Sequence, residues 1–175
     1  LPVAEGRMRA LYRLGRPDKA AEVGRAMLDH PSGSADDRAV LARIAALLER
    51  IRLDRGEPEG AVRRRAIRAL VDDPANVELL RLVRDTHGRL SPDARHLRLL
   101  LHGRCEAATG DGDGYYVSYR VVADDEREAA GFVAEIEALV TGCDELQVEE
   151  CEALEPAAAD AKGVYWYGGR VYYTE

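Results

Sequence analysis

The sequence predicts two parts of different class: an irregular stack of αα-hairpins over residues 1–108, then a small two-layer α+β domain over 115–175, with 109–114 as the linker. Three observations carry this. Apolar residues recur at helical spacing through the first part, interrupted by Gly and Pro. Of ten aromatic residues (one Phe, one Trp, eight Tyr), nine lie in the last 61. The charge also changes sign. Residues 1–114 hold 21 Lys+Arg and 18 Asp+Glu, a net of +3, and residues 115–175 hold 4 and 14, a net of −10. The last two signals switch together at ATGDGDG (108–114), by composition the most flexible stretch.

The spacing predicts six helices in the first part, at about 3–14, 18–30, 36–54, 59–72, 75–87 and 92–108. The third is the clearest: Val40, Leu41, Ile44, Leu47, Leu48 and Ile51 fall on one face, and Asp36 and Asp37 suit the free N–H groups at its start. The sixth is assigned from a stripe of Leu97, Leu100, Leu101 and Cys105. Short loops imply antiparallel neighbours. One turn recurs: GRPDKA (15–20) and GEPEGA (56–61) both read Gly-x-Pro-x-x-Ala, 41 residues apart, and GRLSPDA (88–94) is a looser copy 32 residues on. Gly ends a helix in the left-handed conformation, and Pro fits the first turn of the next.

These segments resemble the tetratricopeptide repeat family. LYRLGRPDKAAEVGRAMLDHP (11–31) and IRLDRGEPEGAVRRRAIRALVDDP (51–74) have its Gly, its Ala five residues later and its Pro after the second helix. Gly24 and Arg65 stand where the family places a large apolar residue, and the spacing departs from its regular 34. The resemblance implies a peptide- or protein-binding scaffold without catalysis, and assigns no individual binding residue.

In the second part, YYVSYRVV (115–122) fits a strand, DDEREAAGFVAEIEALVTG (124–142) an amphipathic helix, and ELQVEEC (145–151) a weaker strand. The helix stripe runs Ala129, Phe132, Val133, Ile136, Leu139, Val140, Cys143. GVYWY and RVYYT flank Gly168-Gly169 and read as a two-residue hairpin. The order strand, helix, strand, strand, strand is in the general style of ferredoxin-like domains.

Alternation along that hairpin puts Val164, Trp166, Val171 and Tyr173 on one face, expected to pack on the helix with Tyr115, Val117, Tyr119 and Val121. It puts Tyr165, Tyr167, Arg170 and Tyr172 on the other, with Tyr116, Ser118 and Arg120. With one full helix in the domain, the second face is expected to lack cover. Tyr116, Arg120, Tyr165, Tyr167, Arg170 and Tyr172 are therefore the candidate partner- or ligand-binding residues, since tyrosine offers apolar area, a polar tip and little side-chain entropy to lose. Docking on the helical part or on a second copy, a foreign partner or ligand, and single-stranded nucleic acid are the readings of that face. A domain of net −10 repels phosphates, so no nucleic acid is expected.

No catalytic residue is assigned: phosphate loop, HExxH and GxSxG are all absent from the sequence. No cofactor or metal is expected. His102 and Cys105 share a helical face but have no third ligand at a convincing spacing, and GDGDG (110–114) lacks the later oxygen ligands of a calcium loop. RRRAIR (63–68) reads as a solvated face, or as a seat for the acidic domain or an acidic partner.

Three cysteines without CxxC suit a reduced compartment, and no stretch nears the roughly 20 apolar residues of a spanning helix. LPVAEGRMRA lacks the apolar core of a signal peptide. A cytoplasmic protein with no membrane association is expected. Arg outnumbers Lys 23 to 2, a hint of genome composition. The expectation for function is a non-catalytic interaction or assembly module whose tyrosine-rich face serves docking or oligomerisation, with a protein or a second copy as partner. The alternative is a small-molecule sensor, its ligand held between the tyrosine face and the helices.

Overall fold

The computed structural model describes residues 1–29, 34–104, 114–143 and 145–174. Five helices, α1 (Pro2–Arg13), α2 (Pro17–Leu28), α3 (Ala35–Asp54), α4 (Glu59–Ala69) and α5 (Val77–Asp85), precede β1 (Arg95–Arg104) and β2 (Gly114–Ala123). Then come α6 (Glu126–Val140), β3 (Leu146–Ala153) and β4 (Gly163–Tyr173). The class is α plus α+β, with a four-stranded antiparallel sheet in the order β3-β1-β2-β4. None of the described helices is long and apolar enough to cross a membrane.

Two compact units result, Leu1–Leu82 and Val83–Glu175. The change in charge and aromatic content at 108–114 thus falls inside the second unit, between β1 and β2, and does not mark the division. Residues 109–113 of the expected linker lie outside the described residues, as does Cys105.

The helical unit is built from successive packed helices, α1 on α2, α2 on α3 and α3 on α4. The recurring turn has the chemistry read from it. Gly15 and Gly56 adopt φ of 68° and 81°. In each turn the glycine N–H donates to the carbonyl three residues back (Tyr12, Leu53). The following N–H reaches five residues back (Leu11, Arg52). Together these form a Schellman closure of the helix end. Pro17 then starts α2 and Pro58 precedes α4. The core joins Met8, Ala20, Ala21, Val40, Ile44, Leu48 and Ile51.

Both departures from the repeat pattern have a local cause. A Cβ on Gly24 would lie 2.7 Å from the Met8 methyl carbon, so Met8 fills the space a large residue would need. Arg65 is taken up by acids, its Nε 2.8 Å from the buried Glu49 and its Nη2 2.6 Å from Glu57. Within RRRAIR, Arg65 therefore lies in an internal ion-pair network.

The sheet unit corrects two expectations. Residues 95–104 form a strand and not a sixth helix. Leu97, Leu99 and Leu101 alternate with His96, Arg98 and His102 and are buried against α6's side of the sheet. Leu100 falls on the opposite face of the strand but completes a helical stripe with Leu97 and Leu101, which is why the segment also reads as a helix. The element order is strand, strand, helix, strand, strand. Second, β4 is one continuous strand along β2, without a hairpin at Gly168-Gly169.

β4 carries two irregularities. Between the pairs Val117↔Arg170 and Tyr119↔Tyr167, both glycines oppose Ser118 alone. Between Arg120↔Trp166 and Val121↔Val164, Tyr165 has no residue opposite. These are β-bulges, and Gly169 supplies the positive φ (89°) of the first. Each bulge shifts the alternation by one, so the faces differ from those of a hairpin. Val164, Tyr167, Arg170 and Tyr172 align with Val121, Tyr119, Val117 and Tyr115 on the side of α6. Trp166 and Val171 align with Arg120 and Tyr116 on the open side.

Candidate functional site

The open face is assembled from alternate residues of all four strands: Glu150 and Glu152 of β3, His96, Arg98, Leu100 and His102 of β1, Tyr116, Ser118 and Arg120 of β2, and Trp166, Val171 and Tyr173 of β4. Tyr116 is 40% exposed, Trp166 43% and Val171 69%. At one end His102 stacks on Tyr116 with ring centroids 4.9 Å apart, and its Nε2 is bonded to the Tyr173 hydroxyl. Its Nδ1 lies 3.6 Å from Glu149. At the other end the Arg120 guanidinium lies 5.2 Å from the Trp166 ring centroid. Arg98 pairs with Glu152 at 2.6 Å, whereas no carboxylate among the described residues pairs with Arg120.

Beside Trp166 the face is hollowed into a cavity of about 480 Å³, walled on one side by the segment that links β3 to β4. That segment is pinned. The Tyr165 hydroxyl donates to Asp160 and accepts from the backbone N–H groups of Asp160 (3.0 Å) and Ala161 (3.2 Å). The Tyr165 ring lies under Arg84, whose guanidinium is 4.0 Å from its centroid. Lys162 bridges Asp124 (3.0 Å) and Glu128 (2.6 Å), the residues at the start of α6. The Ser91 hydroxyl and Lys162 together hold the Asp124 carboxyl below the usual carboxylate range.

The opposite face holds a second polar cluster. Glu137 of α6 is completely buried. Its oxygens accept from the Tyr115 hydroxyl (2.7 Å), the Tyr119 hydroxyl, and Arg170 Nε (3.0 Å) and Nη2 (2.8 Å). Burial, reinforced by the Glu137 charge, pushes both tyrosine pKa values upward, so the hydroxyls remain donors across the neutral range. Burial works against the Arg170 cation, but its bonds to Glu137 outweigh that and raise its pKa.

Of the six candidate residues, the structure leaves Tyr116 and Arg120 on the open face. Tyr167, Arg170 and Tyr172 turn to the helix side, Tyr167 with its ring 5.5 Å from Tyr119 and Tyr172 with its ring 5.7 Å from Tyr115. Tyr165 sits in a bulge and closes the loop beside the cavity. His102, Trp166, Val171 and Tyr173 join that face, although the sequence put His102 on a helix and the other three on the side packed against α6. The period-two run Leu97-Leu99-Leu101 was the signal that would have put His102 on a strand facing away from the core. His102 is committed to Tyr116 and Tyr173, and among the described residues no three metal-ligating side chains converge.

No family model, curated protein or solved structure matches this chain.

Proposed function

We propose that the chain is a non-catalytic interaction module and that the open face of the sheet docks a second copy of it. The observation that carries this is the apolar surface left bare on that face, Tyr116 with its cross-strand partner Val171 toward one end and Trp166 toward the other. Exposed clusters of this kind mark interaction sites.

Its extent is suited to a protein partner. Four strands about 4.8 Å apart and ten residues long present roughly 600 Å², approaching the about 800 Å² per partner of a standard interface. The sheet edges are poor routes to association: β3 is studded with Glu149, Glu150 and Glu152, and β4 is bulged twice, both of which discourage strand addition. A two-fold axis lying in the interface, parallel to the strands, would lay acidic β3 of one copy over aromatic β4 of the other, beside Arg120, so the surface is self-complementary in charge.

Light scattering across a concentration series tests this. The wild-type chain is expected to pass from monomer to dimer, and Tyr116→Glu with Val171→Glu to remain monomeric with its melting temperature unchanged. A wild-type chain that stays monomeric throughout, or a variant that dimerises equally well, contradicts the proposal. A second reading, a small-molecule sensor, is favoured by one observation, the cavity beside Trp166.

A further inference from the structure

We infer that this cavity is a binding site for a planar aromatic carboxylate. Its volume, about 480 Å³, lies within the range of small-molecule sites. Much of the lining is apolar: Val122 is buried, Leu154 is half-buried, and the exposed Ala157 and Ala158 flank it on the side of the segment between β3 and β4. Flat surface is supplied by the Trp166 indole, against which a ring of two fused cycles can lie offset.

The charge of the ligand follows from Arg120. It lines the cavity, lies against the indole, and has no carboxylate partner among the described residues, although the other arginine of the same face, Arg98, is paired. A guanidinium presents parallel N–H donors that match the two oxygens of a carboxylate, and the neighbouring ring fixes the plane in which they are offered. His96 adds a further polar group to the lining, and Glu155 is the lining's acid. Glu155 disfavours a dianion, which is why a single carboxylate on an apolar ring system fits better than a polyphosphate or a dicarboxylate.

The site does not depend on self-association, and the two ideas can fail separately. The probe is 2-naphthoate, followed by Trp166 emission, the chain having a single tryptophan, and by isothermal titration calorimetry. Both the wild-type chain and the Val171→Glu variant are titrated, so that a second copy seated on the face does not mask the cavity. Saturable one-site binding is expected in at least the Val171→Glu variant. Adding Arg120→Gln to it is expected to weaken binding at least tenfold without lowering the melting temperature. The neutral isostere 2-naphthamide is expected to bind at least tenfold more weakly than the acid. No saturable binding in either protein, equal affinity for the amide, or undiminished affinity after Arg120→Gln would overturn the assignment. None of these outcomes bears on dimerisation, which light scattering reads independently.

Discussion

Arg170→Met is expected to destabilise the sheet unit by about 3–5 kcal/mol, the usual consequence of removing one partner from a buried ion pair. Glu137 is fully buried and the Arg170 side chain is 8% exposed, so little solvent reaches the carboxylate once the guanidinium is gone. Tyr115 and Tyr119 still donate to it, but neither carries charge. Against a total stability of about 5–15 kcal/mol for an ordinary domain, the loss is large. Adding Glu137→Gln removes the stranded charge while keeping an oxygen for the tyrosines, so the double variant is expected to recover part of the loss. The measurement is urea denaturation followed by circular dichroism on the single and double variants. If Arg170→Met costs under 1 kcal/mol, Arg170 does not reach Glu137 and the helix-side placement of β4 is wrong.

Leu99→Ala is expected to cost about 2–5 kcal/mol, while Trp166→Ala costs less than about 1 kcal/mol. Leu99 is fully buried at the centre of the sheet, paired with Tyr119 on one side and Cys151 on the other. Trp166 is the larger side chain, but 43% of it remains in solvent, and its ring is met by Arg120 and not by the helix. A hairpin at Gly168-Gly169 would reverse this order, because Trp166 would then be the core ring. The same denaturation experiment on both variants distinguishes the two, and a Trp166→Ala loss equal to that of Leu99→Ala would restore the hairpin.

The sequence shows where patterns suffice and where they do not. α3 and α6 were legible because their apolar stripes are long and admit one period. The turns at Gly15 and Gly56 were legible because their chemistry is local. β1 was not, since Leu97 to Leu101 satisfies two periods and only pairing with β2 decides between them. The division between the units was not, because charge and ring content follow the strand β2 and not the packing boundary. The face of the sheet was half legible. Tyr116 and Arg120 lie on a regular strand and came out on the expected side, whereas every β4 residue after Val164 depends on bulges that are visible only as mismatches of register with β2. A Gly-Gly pair signals a hairpin and a bulge equally well, and a shift of one residue exchanges the faces.

Acrylamide quenching of Trp166 against protein concentration tests the docking face most directly. The wild-type chain is expected to show an accessible indole when dilute and a shielded one when concentrated, while Tyr116→Glu with Val171→Glu stays accessible throughout. An indole already shielded in the dilute wild-type chain, or one accessible at every concentration, would contradict a bare sheet face that a second copy covers.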